Sequence, residues 1–317
     1  MTIKRAITAL IGHASCQQET FLSRPIVKAS ADTIELDTRS NNDYFGPVYV
    51  GEYWRKQEVI YDTMADWTVL IGDSTEGDQA IPSNYDNVIS NSSKPVYQDE
   101  DTRTRKTEVM NMGSYWVNGK EYKERMCLQH EGSDETKRFC VNDFSYILAD
   151  SINGNLMANG VMGFAPTTHF SQSFIWYLKR AGEIDKAILG LNFEDPSEHA
   201  HKSEVHFGSF NVDEIDGGEE GVNYYSNLGN GKWGLLMDDF LYNGEDMTGN
   251  HMAHIALIDS GNSSIQLPAT VFNNVKAKMQ KQESSVSETK IGSHTILSAR
   301  KSCDDLVELL DPISFEL

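Results

Sequence analysis

Two segments far apart in the chain carry the same arrangement of reactive side chains. Tyr61-Asp62-Thr63-Met64-Ala65-Asp66 and Ile258-Asp259-Ser260-Gly261-Asn262-Ser263 each follow an apolar or alternating run with an aspartate, a small hydroxyl residue and a turn-like stretch. That layout suits two carboxylates brought face to face from two similar halves. Carboxylates held close together cannot both ionise freely, so one serves as acid while the other serves as base. Taken singly, each aspartate reads more simply as a turn carboxylate capping nearby amides. The shared context is what argues for chemistry.

Other reactive side chains are less organised. His251 and His254 lie three residues apart, and His199 and His201 sit in an acidic stretch. Surface or strand histidines explain both better than a metal site, so no metal and no cofactor is expected. The cysteines are Cys16, Cys127, Cys140 and Cys303, without zinc spacing. Cys127 and Cys140 flank a polar, Gly-containing segment that suits a hairpin closed by a disulfide, against the alternative of free buried thiols. Cys303 has no evident partner. Asn91-Ser92-Ser93 fits a glycosylation sequon, relevant only in a secreted protein.

The elements that must position these residues are mostly strands. Tyr44 to Ile60 predicts two short strands around Gly51, and Arg105 to Leu128 predicts a hairpin turning near Asn118-Gly119. Short strands with turn residues at intervals favour a β barrel or sandwich. Two helices are predicted. One covers Ser171 to Ile184, with Phe174, Ile175, Leu178 and Ala181 at helical spacing and Gly182 as a stop. The other covers Pro268 to Gln282, with Val271, Phe272, Val275 and Met279 on one face and Pro268 at the first helical position.

The 317 residues can bury a proper core, in one large domain or two ordinary ones. With 27 basic against 47 acidic residues the formal charge is −20, which disfavours nucleic acid as a partner. An acidic chain suits a low-pH compartment. No run approaches the roughly 20 apolar residues of a membrane span. The N-terminus has Lys4 and Arg5, a short apolar stretch broken by Gly12 and His13, and then Ala14-Ser15-Cys16. It reads as a weak secretory signal or as a pro-segment or tail.

From Tyr44 onward, several strings in order resemble the pepsin-like aspartic proteases. YFGPVYVGEYWRKQEVIYDT resembles the family's opening hairpin, leading into a catalytic aspartate at Asp62. VMGFAP resembles the strand that threads beneath the first catalytic loop, and SFIWYLKRAGEI the helix after it. SEVHFGSF resembles the strand joining the lobes, and AHIALIDSGNSSIQLP the second catalytic segment, with Asp259. The resemblance implies an all-β, bilobal fold with a few short helices and a peptide-binding cleft. It divides the chain into a tail (1–31), an N-terminal lobe (32–205) and a C-terminal lobe (206–317). It also implies peptide hydrolysis by a water activated between Asp62 and Asp259. Thr63 and Ser260 would grip across the lobe interface, with Gly261 and Asn262 supporting the second carboxylate. A secretory, acidic vacuolar or lysosomal, or extracellular location would follow.

Several residues depart from the family pattern. Met64 replaces a glycine and is expected to crowd the pair or tilt the Asp62 loop. Ala65 lacks a hydroxyl that in the family supports the first carboxylate, while Asn262 can still donate a hydrogen bond. In the flap segment Asn111 to Gly119, Met112 and Gly113 precede Tyr115, with Met112 at the position of the family's tyrosine. The final segment, SCDDLVELLDPISFEL, resembles only the start of the family's last β region. The second lobe therefore reads as truncated, leaving Ile313 to Leu317 as an unpaired strand open to a partner chain. The expected function is an aspartic endopeptidase homologue, weak or inactive. The alternative is a non-catalytic, protease-like peptide-binding or structural protein.

Overall fold

A computed structural model describes residues 9–12, 32–38, 44–79, 85–111, 116–129, 139–166, 173–193, 203–249, 254–262, 264–291 and 294–317. The flap residues Met112, Gly113 and Tyr115 lie outside these, as do His199, His201, His251 and Cys16.

The largest element is a nine-stranded sheet built between Asp37 and Gly163. Its opening hairpin joins Tyr44–Val50 to Arg55–Asp62, as the alternating apolar residues predict. The long strands Trp116–Cys127 and Cys140–Leu156 run antiparallel to each other. Cys140–Leu156 pairs parallel with Val69–Gln79, and Gly160–Gly163 lies between that strand and Arg55–Asp62. The end of Trp116–Cys127 then pairs back onto Tyr44–Val50, through Met126 with Val50 and Cys127 with Tyr49. This last pairing closes the sheet into a barrel and removes the exposed edges of these strands. Val48, Val59, Leu70, Met126, Phe144, Tyr146 and Met162 pack inside it. Each such side chain contributes about 1.5–3 kcal/mol on burial.

The predicted turn at Asn118-Gly119 is not where the chain reverses. Thr107–Asn111 pairs with the start of Trp116–Cys127, Asn111 opposite Trp116, so the reversal falls between those two residues. Asn118 and Gly119 lie inside the strand, at a register shift against Cys140–Leu156. A Cβ at Gly119 would come 2.4 Å from the Leu148 carbonyl oxygen, so the glycine serves close strand approach. The cysteine prediction holds: Cys127 and Cys140 are cross-strand neighbours joined by a disulfide.

A four-stranded sheet combines Ala9–Gly12, Ile188–Asn192, Glu204–Phe207 and Asp32–Glu35. The helix Phe174–Ala181 packs Phe174 and Leu178 into the core and ends at Gly182, left-handed with φ 78°.

Beyond residue 230 the elements are smaller. Gly234–Met237 pairs with His254–Leu257, and Asp239–Tyr242 lies between Glu245–Asp246 and Ile313–Glu316. Ile313–Glu316 is thus paired on one side, which corrects the unpaired C-terminal strand expected from sequence. Phe315 packs against Phe240, their ring centroids 5.2 Å apart, and that contact supplies the reason. The helix Ala269–Gln282 buries Val271 and Val275 against Phe240 and Tyr242; Pro268 is its N-cap rather than its first residue. No helix among the described residues is long and apolar enough to cross a membrane.

Candidate active site

The two aspartate segments meet through their hydroxyl residues. The Thr63 N–H donates to Ser260 Oγ at 2.9 Å, and the Ser260 N–H donates to Thr63 Oγ1 at 3.0 Å. Each hydroxyl then donates to the carbonyl just before the opposing aspartate. Thr63 Oγ1 reaches Ile258 O at 2.7 Å, and Ser260 Oγ reaches Tyr61 O at 2.6 Å. These four bonds are related by an approximate two-fold axis. Only a small hydroxyl residue can accept from one backbone and donate to another in so short a span. Thr63 is fully buried, so the bonds are sheltered from competing water.

The Asp62 loop is fixed from below by its own sheet. Gly160–Gly163 runs parallel beside it, with Gly163 opposite Asp62. A Cβ at Gly163 would lie 2.6 Å from both the Ala65 and Trp67 carbonyl oxygens, so this strand passes only because the residue is glycine. Next, the Phe164 N–H donates to Asp62 O at 2.8 Å and the Ala165 N–H to Ala65 O at 3.1 Å. Tyr61 is buried against Phe164 and Phe207 and donates its hydroxyl to Pro47 O.

Asp62 is almost fully buried, and its Oδ1 accepts from the Met64 N–H at 2.7 Å and the Ala65 N–H at 3.1 Å. Met64 keeps a negative φ. The tilt expected from this residue is therefore not seen in the loop's bonding: ordinary helical or extended dihedrals suffice there, and both amides reach the carboxylate. Gly261 is where glycine is required. Its Cβ would fall 2.5 Å from Asp62 Cγ, so the bare Cα of one segment packs on the carboxyl of the other. Asp259 is half-buried and accepts from the Gly261 N–H at 3.1 Å. Asn262 turns its amide to Ser264 O instead of to Asp259.

Burial pushes the Asp62 carboxyl up to about 6, and the nearby Asp259 charge adds to this, against the lowering effect of the two amides and of Lys232. Burial also raises Asp259, while the Gly261 amide and Lys232 oppose it. Both carboxyls are thus raised, and Asp62 is the more deeply buried of the two.

Lys232 was not evident from sequence. Its Nζ donates to Met64 O at 2.6 Å and to Asp66 Oδ1 at 2.9 Å. Trp233 beside it donates its indole N–H to Phe164 O at 2.8 Å and accepts the Ile258 N–H at its carbonyl. The usable signal was Asn230-Gly231, an Asn-Gly pair whose left-handed dihedrals (φ 44° and 89°) form the hairpin turn presenting Lys232. Of the histidines, His254 lies in a strand, half-buried. No cluster of three or more potential metal ligands occurs among the described residues.

A family model described as "Eukaryotic aspartyl protease" matches residues 43–316. No curated protein sequence is similar enough to count as a match. Among solved structures, the aspartic proteinase from Irpex lacteus is similar in fold, with a TM-score of 0.61 at 16% identity, over 88% of this chain and 74% of that one.

Proposed function

We propose that this chain, which belongs to the eukaryotic aspartyl protease family, hydrolyses peptide bonds at acid pH with Asp62 and Asp259, at low turnover. The observation that carries the reading is the reciprocal bonding of Thr63 and Ser260, which fixes both aspartate segments against one another. Its chain halves would meet near residues 200–220, with a peptide lying in the cleft above the pair.

The chemistry follows from the unequal environments. Asp62 Oδ1 already accepts two amides, so the proton it retains goes to Oδ2. Asp259, less buried, is the carboxylate that takes a proton from water as the oxygen attacks the scissile carbonyl carbon. Asp62 donates its proton to the carbonyl oxygen, giving a neutral gem-diol. Asp259 then returns its proton to the leaving nitrogen, the C–N bond breaks, and Asp62 recovers a proton from the diol. Atoms and charge balance without a covalent enzyme intermediate.

Low turnover follows from the asymmetry of the two segments. Met64 is the counterpart of Gly261 under the approximate two-fold. Where Gly261 lets its backbone rest on Asp62, Met64 puts a side chain at the equivalent position of the first segment. Ala65 has no hydroxyl and Asn262 bonds elsewhere, so among the described residues the carboxylates accept hydrogen bonds from backbone amides. The Asp62 loop keeps its bonds, so the cost would fall on the attacking water and the peptide, whose displacement by about 1 Å costs on the order of a hundredfold in rate. The same residues favour the second reading, a cleft that holds peptides without cutting them.

The test is incubation of the purified chain with a denatured protein in 18O-labelled water at acid pH. Slow release of peptides whose new C-termini carry the label supports hydrolysis. Retained peptide binding without any labelled product would favour the non-catalytic reading.

A further inference from the structure

We propose that Lys232 is a positioning residue for the Asp62–Asp259 pair, acting from the opposite half of the chain on the turn that holds Asp62. The inference rests on the reading above that this pair is the reacting group. Residue 64 carries the coupling: its N–H donates to Asp62 Oδ1 at 2.7 Å, while its carbonyl accepts Lys232 Nζ at 2.6 Å. The ammonium is also paired with Asp66 Oδ1 at 2.9 Å, so it spans both ends of the Met64–Asp66 turn. A cation on the Met64 carbonyl polarises the Met64–Ala65 peptide unit, whose N–H is the second donor to Asp62 Oδ1 at 3.1 Å, and anchoring the turn fixes the direction of the Met64 and Ala65 amides.

Lys232 is itself held firmly. Asn227 Oδ1 accepts from the Gly229 and Gly234 amides at 3.0 and 2.9 Å, and the Leu228 N–H donates to Gly234 O. The Trp233 bonds to Phe164 and Ile258 tie the same hairpin to the strand beneath Asp62 and to the residue before Asp259. The hairpin therefore touches the supports of both carboxylates. Among the described residues, the charged groups around the pair are Asp62, Asp259, Asp66 and Lys232. Lys106, over the Trp67 ring, is paired with Glu121 and Glu108. Among the described residues, Lys232 is then the cation acting on both aspartates, and its charge opposes the upward push of burial on each. Its side chain is one-third exposed, so the ion pair with Asp66 alone contributes little to stability.

The experiment compares Lys232→Met, Lys232→Gln and Lys232→Arg with the unmodified chain. The titration of 13C-labelled aspartate carboxyls is followed by NMR, with Asp62→Asn for assignment. In the Met and Gln variants the midpoints of the pair should move upward; Arg should restore them, and native near-UV circular dichroism should persist in all. Where the unmodified chain cleaves peptides, kcat/KM should fall by about tenfold in the Met variant, with its acid-side limb shifted upward, as expected for loss of orientation at the reacting centre. Midpoints that do not move in folded Met and Gln variants would overturn the proposal. Midpoints that move in a chain without hydrolytic activity would uphold it while the protease reading failed.

Discussion

At the residue scale, burial and mutual repulsion control the carboxylates. Asp62 is held at about 6 against an ordinary 3.8. A raised acid stabilises the fold fully below about pH 4, and that contribution is lost as pH rises through the folded value near 6. Relative to Asp62→Asn, the unmodified chain should therefore lose up to about 3 kcal/mol of unfolding free energy over that interval, at 1.36 kcal/mol per unit. Urea denaturation at a series of pH values measures it, and parallel curves for the two proteins would refute the burial argument. Beneath the carboxyls, Thr63→Val leaves the Ser260 amide without its acceptor. Stranding a buried donor costs about 1–3 kcal/mol. Because Ser260→Ala breaks into the same network, the double variant should lose less than the sum of the single losses. Additive losses would show the two hydroxyls to be independent. The aspartate and hydroxyl residues were legible because each Asp-Thr or Asp-Ser pair is contiguous. Lys232 was not, since its partners Met64 and Asp66 lie 168 and 166 positions away.

At the element scale, glycines decide which strands lie side by side. Gly163 sits with two carbonyl oxygens where its Cβ would be. Gly163→Ala must spread the Asp62 loop from the strand beneath it, and should destabilise by about 3 kcal/mol, the upper end for overpacking. Chemical denaturation measures this, and an unchanged midpoint would contradict the close-packed loop. The opening hairpin and both longer helices were readable from apolar periodicity and turn residues, and the strand Gly160–Gly163 only from the resemblance of VMGFAP to the family's threading strand. The Asn118-Gly119 turn was not, because the same dipeptide serves a hairpin or an in-strand bulge depending on its neighbours. Asn230-Gly231 and Asn243-Gly244 take the left-handed pair of a tight hairpin. Asn118-Gly119 instead faces Leu148 within the barrel, a contact that local sequence does not contain.

At the scale of the whole molecule, one closed barrel and a set of smaller sheets are joined at the aspartate segments. The Cys127–Cys140 disulfide fastens the barrel where Trp116–Cys127 returns to Tyr44–Val50. Replacing both cysteines by alanine should cost about 3 kcal/mol by loop-closure entropy, read from the unfolding midpoint, with the acid-pH activity retained. An unchanged midpoint would mean that the ladder alone holds this edge. The pairing of the two motifs was legible because matching sequence context implied matching geometry. The degree of activity was not, since on the reading proposed above it turns on how Met64 and Lys232 sit around a pair assembled from distant segments. The most direct measurement is acid-pH kcat/KM on one peptide substrate for the unmodified chain, Asp259→Ala and Met64→Gly. We predict slow but measurable cleavage by the unmodified chain, none by Asp259→Ala, and a rise in Met64→Gly of on the order of tenfold or more. Cleavage that persists in Asp259→Ala would contradict the account.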